Sequence, residues 1–410
     1  MKVKQKLSVI LLEIRYKYWF YDLFFACRDL EIGAFEGQKI GIDDIPNPYQ
    51  LPFFDKADAI FISTDWVNWI IEEKKLDIRV VLNKLRKFSN KIVGADGFDT
   101  FSVFMAPKAI DEMDFVLKAQ GYYKDRELHN YETGTYYGKG DNWYEKITRR
   151  NVTYSSRQLD KLKLSLPCTI NINATVRRRI RKIKPNISSL SAVIRSFGDR
   201  VIKLDEIIRT PLIKPAMGVH FIGSLTHFAR VRFIQILKQN NISGRYGLSG
   251  MTKYFWGSYG DTDFPNKLDE EKAIQYLKQK GYWTEPINRL FFKRTLLDYF
   301  VIAAPNGHGE LTFRHAEALE AGRLLVCQDL HHVEMMFPFI NGHNAVFCKP
   351  DFSDFNEIIQ HIFQKNNFEK YDQIAQTGKK EWTAWIKDID AILYEGVTKY
   401  LVETNNKPGI

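Results

Sequence analysis

Cysteine is scarce in this sequence, and long apolar runs are absent from it. The four cysteines, Cys27, Cys168, Cys327 and Cys348, form no CxxC pair, so their spacing predicts neither a zinc ribbon nor a disulfide framework. The basic N-terminus leads into an apolar segment that Glu13 interrupts, which is not the pattern of a signal peptide. No stretch of about 18 uncharged apolar residues follows. The sequence therefore predicts a soluble protein of a reducing cytoplasm.

The chain is long enough for two domains. It has 410 residues, of which 45% are hydrophobic and 14% aromatic, a composition that excludes a disordered protein. Strand-like segments alternate with helix-like segments in both halves, which predicts mostly parallel sheets with helices on their faces. The segment "TPLIKPAMG" interrupts this pattern. We predict an N-terminal domain over 1–200, a C-terminal domain over 216–380, and a C-terminal helix over 381–410 that packs back on the N-terminal domain.

The charge balance is basic and unevenly distributed. The formal net charge is +10, and the segment "ATVRRRIRKIKP" concentrates six basic residues, all within 177–184. One interpretation is a solvated helix face or linker. Another is a surface for anionic lipid headgroups at the inner membrane face, to which the protein would bind peripherally. Nucleic acid is not expected as a partner, because no DNA- or RNA-binding motif accompanies the run.

The stretch "PNGHGELTFRHAEALEAGRLLV" (305–326) places polar and titratable residues between two apolar segments. The residues before and after it have the composition of short buried strands. The middle has good helix formers and ends at Gly322, a typical C-terminal glycine of a helix. This order predicts strand, glycine-containing turn, helix and strand. It puts the free N–H groups of a helix N-terminus beyond the end of a strand, where anions bind.

Two segments carry a family resemblance. "HFIGSLTHFARVRFIQIL" (220–237) and "VIAAPNGHGELTFRHAEALEAGRLLV" (301–326) resemble the nucleotide-sugar-binding domain of GT-B glycosyltransferases. The most similar kind is the bacterial "glycosyl transferases group 1" type, which builds surface polysaccharides such as lipopolysaccharide or capsule. The resemblance covers about 218–365. It extends to the N-terminal half only through the alternation of strand-like and helix-like segments there. It implies two facing doubly wound, Rossmann-like domains with the donor in the cleft between them.

The resemblance implies a set of donor-binding residues. Glu317 of "EAL" receives the ribose hydroxyls in this family, a role that suits a carboxylate because it accepts two hydrogen bonds. Arg314 is expected to neutralise phosphate charge. Glu310 and Glu317 are separated by six residues, whereas many retaining members have seven, so retention or inversion stays open. The other expected donor contacts are Gly223, Ser224, Arg230, Gly307, His308, Gly309, Glu310 and Thr312.

A catalytic base for an inverting reaction would come from the N-terminal domain. "GADGFD" offers Asp96 and Asp99 on a turn after a strand, which would direct carboxylates into the cleft. The alternative for both is ordinary turn chemistry, because aspartate often caps loops and helices. No metal or other cofactor is expected. Cationic side chains and helix dipoles would stabilise the departing diphosphate instead.

The predicted function is transfer of a sugar from a nucleotide-activated donor to a hydroxyl of a glycan or lipid-linked acceptor. Two alternatives stay open. The first is a GT-B-fold nucleotide-sugar epimerase, which would turn over the donor without an acceptor. The second is a non-enzymatic basic scaffold that binds lipid phosphate or another polyanion, which would show salt-dependent binding without preference for nucleotide sugars.

Overall fold

A computed structural model shows two α/β units that follow each other in the chain. The residues that the structure describes are 9–12, 57–97, 101–126, 129, 152–165, 214–256, 270–287, 289–307, 309–388, 391–392 and 394–403.

The N-terminal unit is built on a parallel sheet of five strands in the order β1-β2-β3-β4-β6. The strands of this unit, with the short β5, are β1 Val9–Leu12, β2 Ala59–Ser63, β3 Ile92–Asp96, β4 Phe115–Lys118, β5 Tyr122–Tyr123 and β6 Leu162–Leu164. Its helices are α1 Thr64–Asn68, α2 Ile78–Leu85, α3 Pro107–Glu112 and α4 Ser156–Asp160, and a π-helical segment Trp69–Glu73 continues α1. These helices pack on one face of the sheet, against alternating residues such as Ile60 and Ile62.

The C-terminal unit also has a parallel sheet of five strands, in the order β12-β10-β9-β7-β8. The strands after β6 are β7 Ala216–His227, β8 Gly244–Trp256, β9 Tyr299–Ala304, β10 Leu324–Gln328, β11 Val333–Glu334 and β12 Val346–Cys348. The helices are α5 Phe228–Gln239, α6 Glu270–Gln279, α7 Arg289–Asp298, α8 Phe313–Ala321, α9 Phe355–Phe363, α10 Phe368–Lys387 and α11 Lys399–Glu403. The central strands are buried on both faces, because their alternate residues belong to two different core clusters. Two successive Rossmann-like units of parallel sheet confirm the predicted GT-B class.

The two units share one hydrophobic cluster. It contains Phe61 and Leu117 of the N-terminal sheet together with Ile302 and Leu325 of the C-terminal sheet. The short strands β5 and β11 add an antiparallel connection between the units. The shared cluster and this strand pair hold the end of one sheet against the other unit.

The C-terminal segment differs from the single helix expected over 381–410. Helix α10 begins at Phe368 and ends at Lys387, and a π-helical segment, Tyr394–Thr398, then leads into α11. The ring of Tyr400 lies 5.8 Å from that of Phe115 in the N-terminal sheet. Within the described residues, no helix is both long enough and apolar enough to cross a membrane. The domain boundaries themselves stay predictions.

A substitution at Gly378 tests how closely α10 packs on α8. A methyl group on Gly378 would lie 2.7 Å from Cδ2 of Leu319 and 2.8 Å from the carbonyl oxygen of Asn344. We therefore expect Gly378→Ala to lower the free energy of unfolding by about 1–3 kcal/mol, although alanine normally favours an exposed helix by about 1 kcal/mol. Urea denaturation measures the change. Gln373→Ala, exposed on the same helix, is the matched control, and a stabilised Gly378→Ala protein would contradict the described packing.

Candidate functional site

The candidate site lies where the strand order of the second sheet reverses. β7 and β9 are neighbours there, although β8 separates them in sequence. β7 leads directly into α5, and β9 continues through the loop 305–312 into α8. Two strand ends and two helix N-termini therefore meet at one edge of the sheet. Parallel α/β sheets bind ligands at such a reversal, and helix N-termini favour anionic ones.

Arg230, in the first turn of α5, reaches into the loop after β9. Its Nε donates to the carbonyl oxygen of Asn306 at 3.0 Å, and its Nη1 donates to that of Ser224 at 2.7 Å. The side chain is buried, and among the described residues no carboxylate forms an ion pair with it. Burial, with a smaller effect from the charge of Arg314, lowers the pKa of Arg230 to about 9. The guanidinium is thus a buried donor group without a counter-ion in this part of the chain.

Further buried polar groups lie near Arg230. The hydroxyl of Thr226 and both side-chain polar atoms of Asn306 are buried and form no hydrogen bond with any residue that the structure describes. Gly307 lies against the same groups, since a methyl group there would be 2.7 Å from Nη2 of Arg230 and 3.1 Å from Oγ1 of Thr226. Leaving such a group unpaired costs about 1–3 kcal/mol. We call Thr226, Arg230, Asn306 and Gly307 the Arg230 cradle, which has the donors needed to bind an anion.

The loop before α8 has a compact shape. The N–H of Gly307 donates to the carbonyl oxygen of Gly309 at 3.0 Å. The N–H of Asn306 donates to Oε1 of Gln328 at 2.9 Å, which fixes the start of the loop against β10. At its end, the N–H of Thr312 donates to Nδ1 of His315 at 3.1 Å. This contact is part of a capping box that begins α8, so Thr312 and His315 define the start of the helix.

Arg314 and Glu317 form an ion pair on α8. Arg314 also donates to the carbonyl oxygen of Ile222 in β7, and its guanidinium lies 4.3 Å above the ring of Phe292. The Glu317 side chain is 29% exposed, against 13% for Arg314. The ion pair uses Oε2 of Glu317. Its other oxygen, Oε1, forms no hydrogen bond with any residue that the structure describes.

The side chain of Glu310 does not lie where a contact with the nucleotide sugar would require it. Its side chain is fully buried and points to the N-terminal unit. Oε2 accepts a hydrogen bond from the N–H of Phe101 at 3.2 Å, and Oε1 accepts one from the hydroxyl of Tyr123 at 2.9 Å. Burial raises the pKa of Glu310 to about 7, an effect that these hydrogen bonds partly oppose. In this structure the carboxyl group joins the two units and does not face the cradle.

Asp96 also has contacts that differ from those expected of a catalytic base. It is fully buried at the end of β3. Its Oδ2 accepts hydrogen bonds from the N–H groups of Phe104 and Met105, at 2.6 and 3.3 Å, and its Oδ1 lies 3.5 Å from Nζ of Lys118. Both oxygens are thus engaged within the fold, so the carboxylate has no access to an acceptor hydroxyl. These contacts are those of a structural residue.

The structure places Gly223 and Ser224 close to Arg230. Both residues lie inside β7, which continues to His227. The pairing of β7 with β8 shifts register between Gly223 and Leu225. This irregularity accompanies the exposure of the Ser224 carbonyl oxygen to Arg230. His308, Asp99 and the basic run 177–184 lie outside the described residues, so their expected roles stay predictions.

Sequence reasoning missed Thr226 and Asn306. Both are uncharged residues of common types. They lie within the two segments that carry the resemblance, 220–237 and 301–326, but the resemblance implied no role for either. A usable signal was present, because Asn306 follows β9 after a single proline. A polar side chain directly beyond a buried parallel strand is well placed for a ligand.

The chain is distantly similar to several solved structures. No family model and no curated protein matches the chain. Anabaena HepE in complex with UDP aligns with a TM-score of 0.44 at 10% identity, covering 97% of this chain and 100% of that one. For the Neisseria meningitidis UDP-GlcNAc 2-epimerase bound to UDP-GlcNAc, the TM-score is 0.34 at 10% identity, over 93% and 99% of the chains. The Arabidopsis thaliana starch synthase IV catalytic domain, bound to ADP and acarbose, gives 0.42 at 9% identity over 84% and 73%. At these values the likenesses establish no activity, ligand or site residue for this chain.

Four histidines whose pKa values are lowered by burial predict a loss of stability in acid. Burial lowers the pKa of His220 to about 3 and those of His129, His315 and His332 to about 4. The unfolded chain therefore binds more protons than the folded one as the pH falls below about 6.5. Glu310 has a raised pKa and therefore adds stability as the pH falls, but it is one group against four. We expect the free energy of unfolding to fall between pH 6.5 and 4.5.

Urea denaturation at half-unit pH intervals measures this dependence. His315→Gln removes one of the four groups, so we expect its profile to be less steep than that of the wild type by close to one proton. Equal slopes for the two proteins would contradict the buried, neutral state of His315.

Proposed function

We propose that this protein is a glycosyltransferase, which moves a sugar from a nucleotide-activated donor to a hydroxyl of a glycan or lipid-linked acceptor in cell-surface polysaccharide synthesis. The Arg230 cradle carries this proposal. Its guanidinium is buried without a carboxylate partner among the described residues, next to unpaired polar atoms of Thr226 and Asn306. A nucleoside diphosphate is an anion that suits such donors, and the cradle lies at the strand-order reversal where parallel sheets bind nucleotides.

In this proposal the bond between the anomeric carbon and the phosphate oxygen breaks. Its electron pair stays on the departing diphosphate, and the acceptor hydroxyl forms the new bond and loses its proton. Arg230 and the N-terminus of α8 stabilise the charge that develops on the leaving group. Because the cradle is buried, these interactions are stronger than they would be in water. The base that takes the proton is still to be identified, and Asp99 stays the prediction for it.

Glu317 is proposed to bind the ribose of the donor. One carboxylate oxygen is held by Arg314, which orients the side chain, and the other is available for hydroxyl groups. Arg314 is fixed in turn by the carbonyl oxygen of Ile222 and the ring of Phe292. Its positive charge also lowers the pKa of Arg230, so the ion pair and the cradle lie within electrostatic reach of each other.

A nucleotide-sugar epimerase is the second candidate. The burial of Asp96 favours it, because one of the two residues predicted to activate an acceptor has both oxygens engaged within the fold. The two functions differ in what they need. An epimerase converts the nucleotide sugar alone, whereas a transferase consumes it faster than slow hydrolysis only when an acceptor is present. Proton NMR of the donor, with and without candidate acceptors, distinguishes them.

Nucleotide binding tests the proposed site directly. We expect one of UDP, GDP, CMP, TDP or ADP to raise the melting temperature, because a ligand of the folded state stabilises it by mass action. Glu317→Ala is expected to weaken binding about 10–100-fold, since a hydrogen bond to a charged group contributes about 1.5–3 kcal/mol. Thermal shift titrations give both results. Binding of no nucleotide would contradict the proposal.

Two control variants separate ribose binding from the ion pair. Glu320→Ala removes a carboxylate one turn further along α8 and should leave binding unchanged. Glu317→Ala alone removes the ion-pair partner of Arg314, whereas the double variant Arg314→Ala with Glu317→Ala removes both members of the pair. If it recovers wild-type affinity, Glu317 serves only as the counter-ion of Arg314, and its role at the ribose is wrong.

Gly307→Ala tests the cradle itself. The added methyl group would lie 2.7 Å from Nη2 of Arg230, so it must displace the guanidinium from its place. We expect nucleotide affinity to fall at least about tenfold, or 1.4 kcal/mol. Gly250→Ala is the matched control in the neighbouring strand β8, because its methyl group would meet Ser224 Oγ at an ordinary 3.5 Å. Unchanged affinity in Gly307→Ala, measured by calorimetry, would exclude the cradle as the phosphate site.

A further inference from the structure

The loop that carries the Arg230 cradle is attached to both units of the protein. At its start, Asn306 is held by Arg230 and by Gln328 of the C-terminal unit. At its end, Glu310 is held by Phe101 and Tyr123 of the N-terminal unit. A change at either attachment therefore acts on the short stretch between them, which includes Gly307.

Several ionisable groups surround the Glu310 carboxyl group. Tyr123 donates to it from β5, and the rings of two histidines lie against that tyrosine, at 5.3 Å for His129 and 5.8 Å for His332. From β4, Lys118 favours the ionised form of Glu310 through its charge. Lys118 is itself buried beside the carboxylate of Asp96 at the end of β3.

The surroundings of Glu310 keep its neutral form populated up to neutral pH. The two histidines stay uncharged there because burial lowers the pKa of each to about 4. The charge of Lys118 is shared with Asp96. Burial raises the pKa of Glu310 to about 7 despite the hydrogen bonds that it accepts. The contact with Tyr123 persists on protonation, because a neutral carboxyl group can donate to the phenolic oxygen as well as accept from it.

We propose that Glu310 is a positioning residue whose neutral form fastens the cradle loop to the N-terminal unit, so that binding of an anion in the Arg230 cradle takes up a proton at Glu310. The second half of this statement rests on the proposed function. Ionisation of Glu310 places a buried negative charge at the end of the loop. An anion in the cradle opposes that ionisation, and by linkage protonation of Glu310 favours the anion.

The first test needs no ligand. The free energy of unfolding of the wild type and of Glu310→Gln is measured by urea denaturation from pH 5 to 8. Glutamine has nearly the same shape and mimics the neutral acid, so the difference between the profiles isolates the titration of Glu310 from that of the histidines. Since Glu310 binds its proton more tightly in the folded state, the wild type should lose stability relative to Glu310→Gln as the pH rises through 7, and the difference should level off towards pH 8. Parallel profiles would overturn the proposal.

Tyr123→Phe provides a second ligand-free readout, should Glu310→Gln not fold. Loss of the phenol hydroxyl removes a hydrogen-bond donor that favours the ionised carboxylate. The pH range over which Glu310 changes the free energy of unfolding should therefore move upward. Such a shift would show that Tyr123 acts on the titration of Glu310. An unchanged midpoint would show that the hydrogen bond between the two residues does not govern the titration, and would overturn the proposal.

The second test uses UDP and calorimetry between pH 6.5 and 8.5. We expect the affinity of the wild type to fall by about 3–10-fold over this range relative to Glu310→Gln, since uptake of one proton changes affinity by at most tenfold per pH unit. UDP titrates equally in both experiments, so the ratio removes its contribution. Equal pH profiles with measurable binding would overturn the linkage. If UDP and the other nucleotides do not bind at all while the stability profiles diverge as expected, the proposed function fails and the attachment of the loop by Glu310 stands.

Discussion

The buried guanidinium of Arg230 is the constraint on which the site depends. It lies between two strand ends, donates to carbonyl oxygens on both sides, and has no carboxylate partner among the described residues. Burying a charge without a counter-ion is costly. The fold accepts this cost only where a ligand or a specific backbone arrangement compensates it. The irregular end of β7 supplies part of that compensation through Ser224, and a phosphate group would supply the rest.

The contacts between the two units determine how this site relates to the rest of the protein. The N-terminal sheet contributes Phe61 and Leu117 to the same apolar cluster as Ile302 and Leu325. Within that contact, Glu310 forms polar interactions with the opposite unit. The loop after β9 therefore belongs both to the proposed ligand site and to the contact between the units. In the proposed function, ligand binding and the contact between the units would be coupled through these residues.

The strand–loop–helix–strand unit around 299–326 could be predicted from sequence because its signals are local. Apolar runs of strand length flank good helix formers, and Gly322 ends the helix with a φ of 63° as expected. The spacing of Arg314 and Glu317 also allowed an ion pair. The contacts of Glu310 could not be predicted, because its partners lie 187 and 209 residues away. Similarly, Asp96 is paired through the register of β3 with β4, which the sequence does not reveal.

The most direct test of the central claim is a crystal structure of the protein with the nucleotide that stabilises it most. We predict that a phosphate group lies beside Gly307, within hydrogen-bonding distance of the Arg230 guanidinium, with the ribose hydroxyls at Glu317. The side chains of Thr226 and Asn306 would then gain partners that they lack among the described residues. A nucleotide bound elsewhere, with the Arg230 cradle unchanged, would contradict the account.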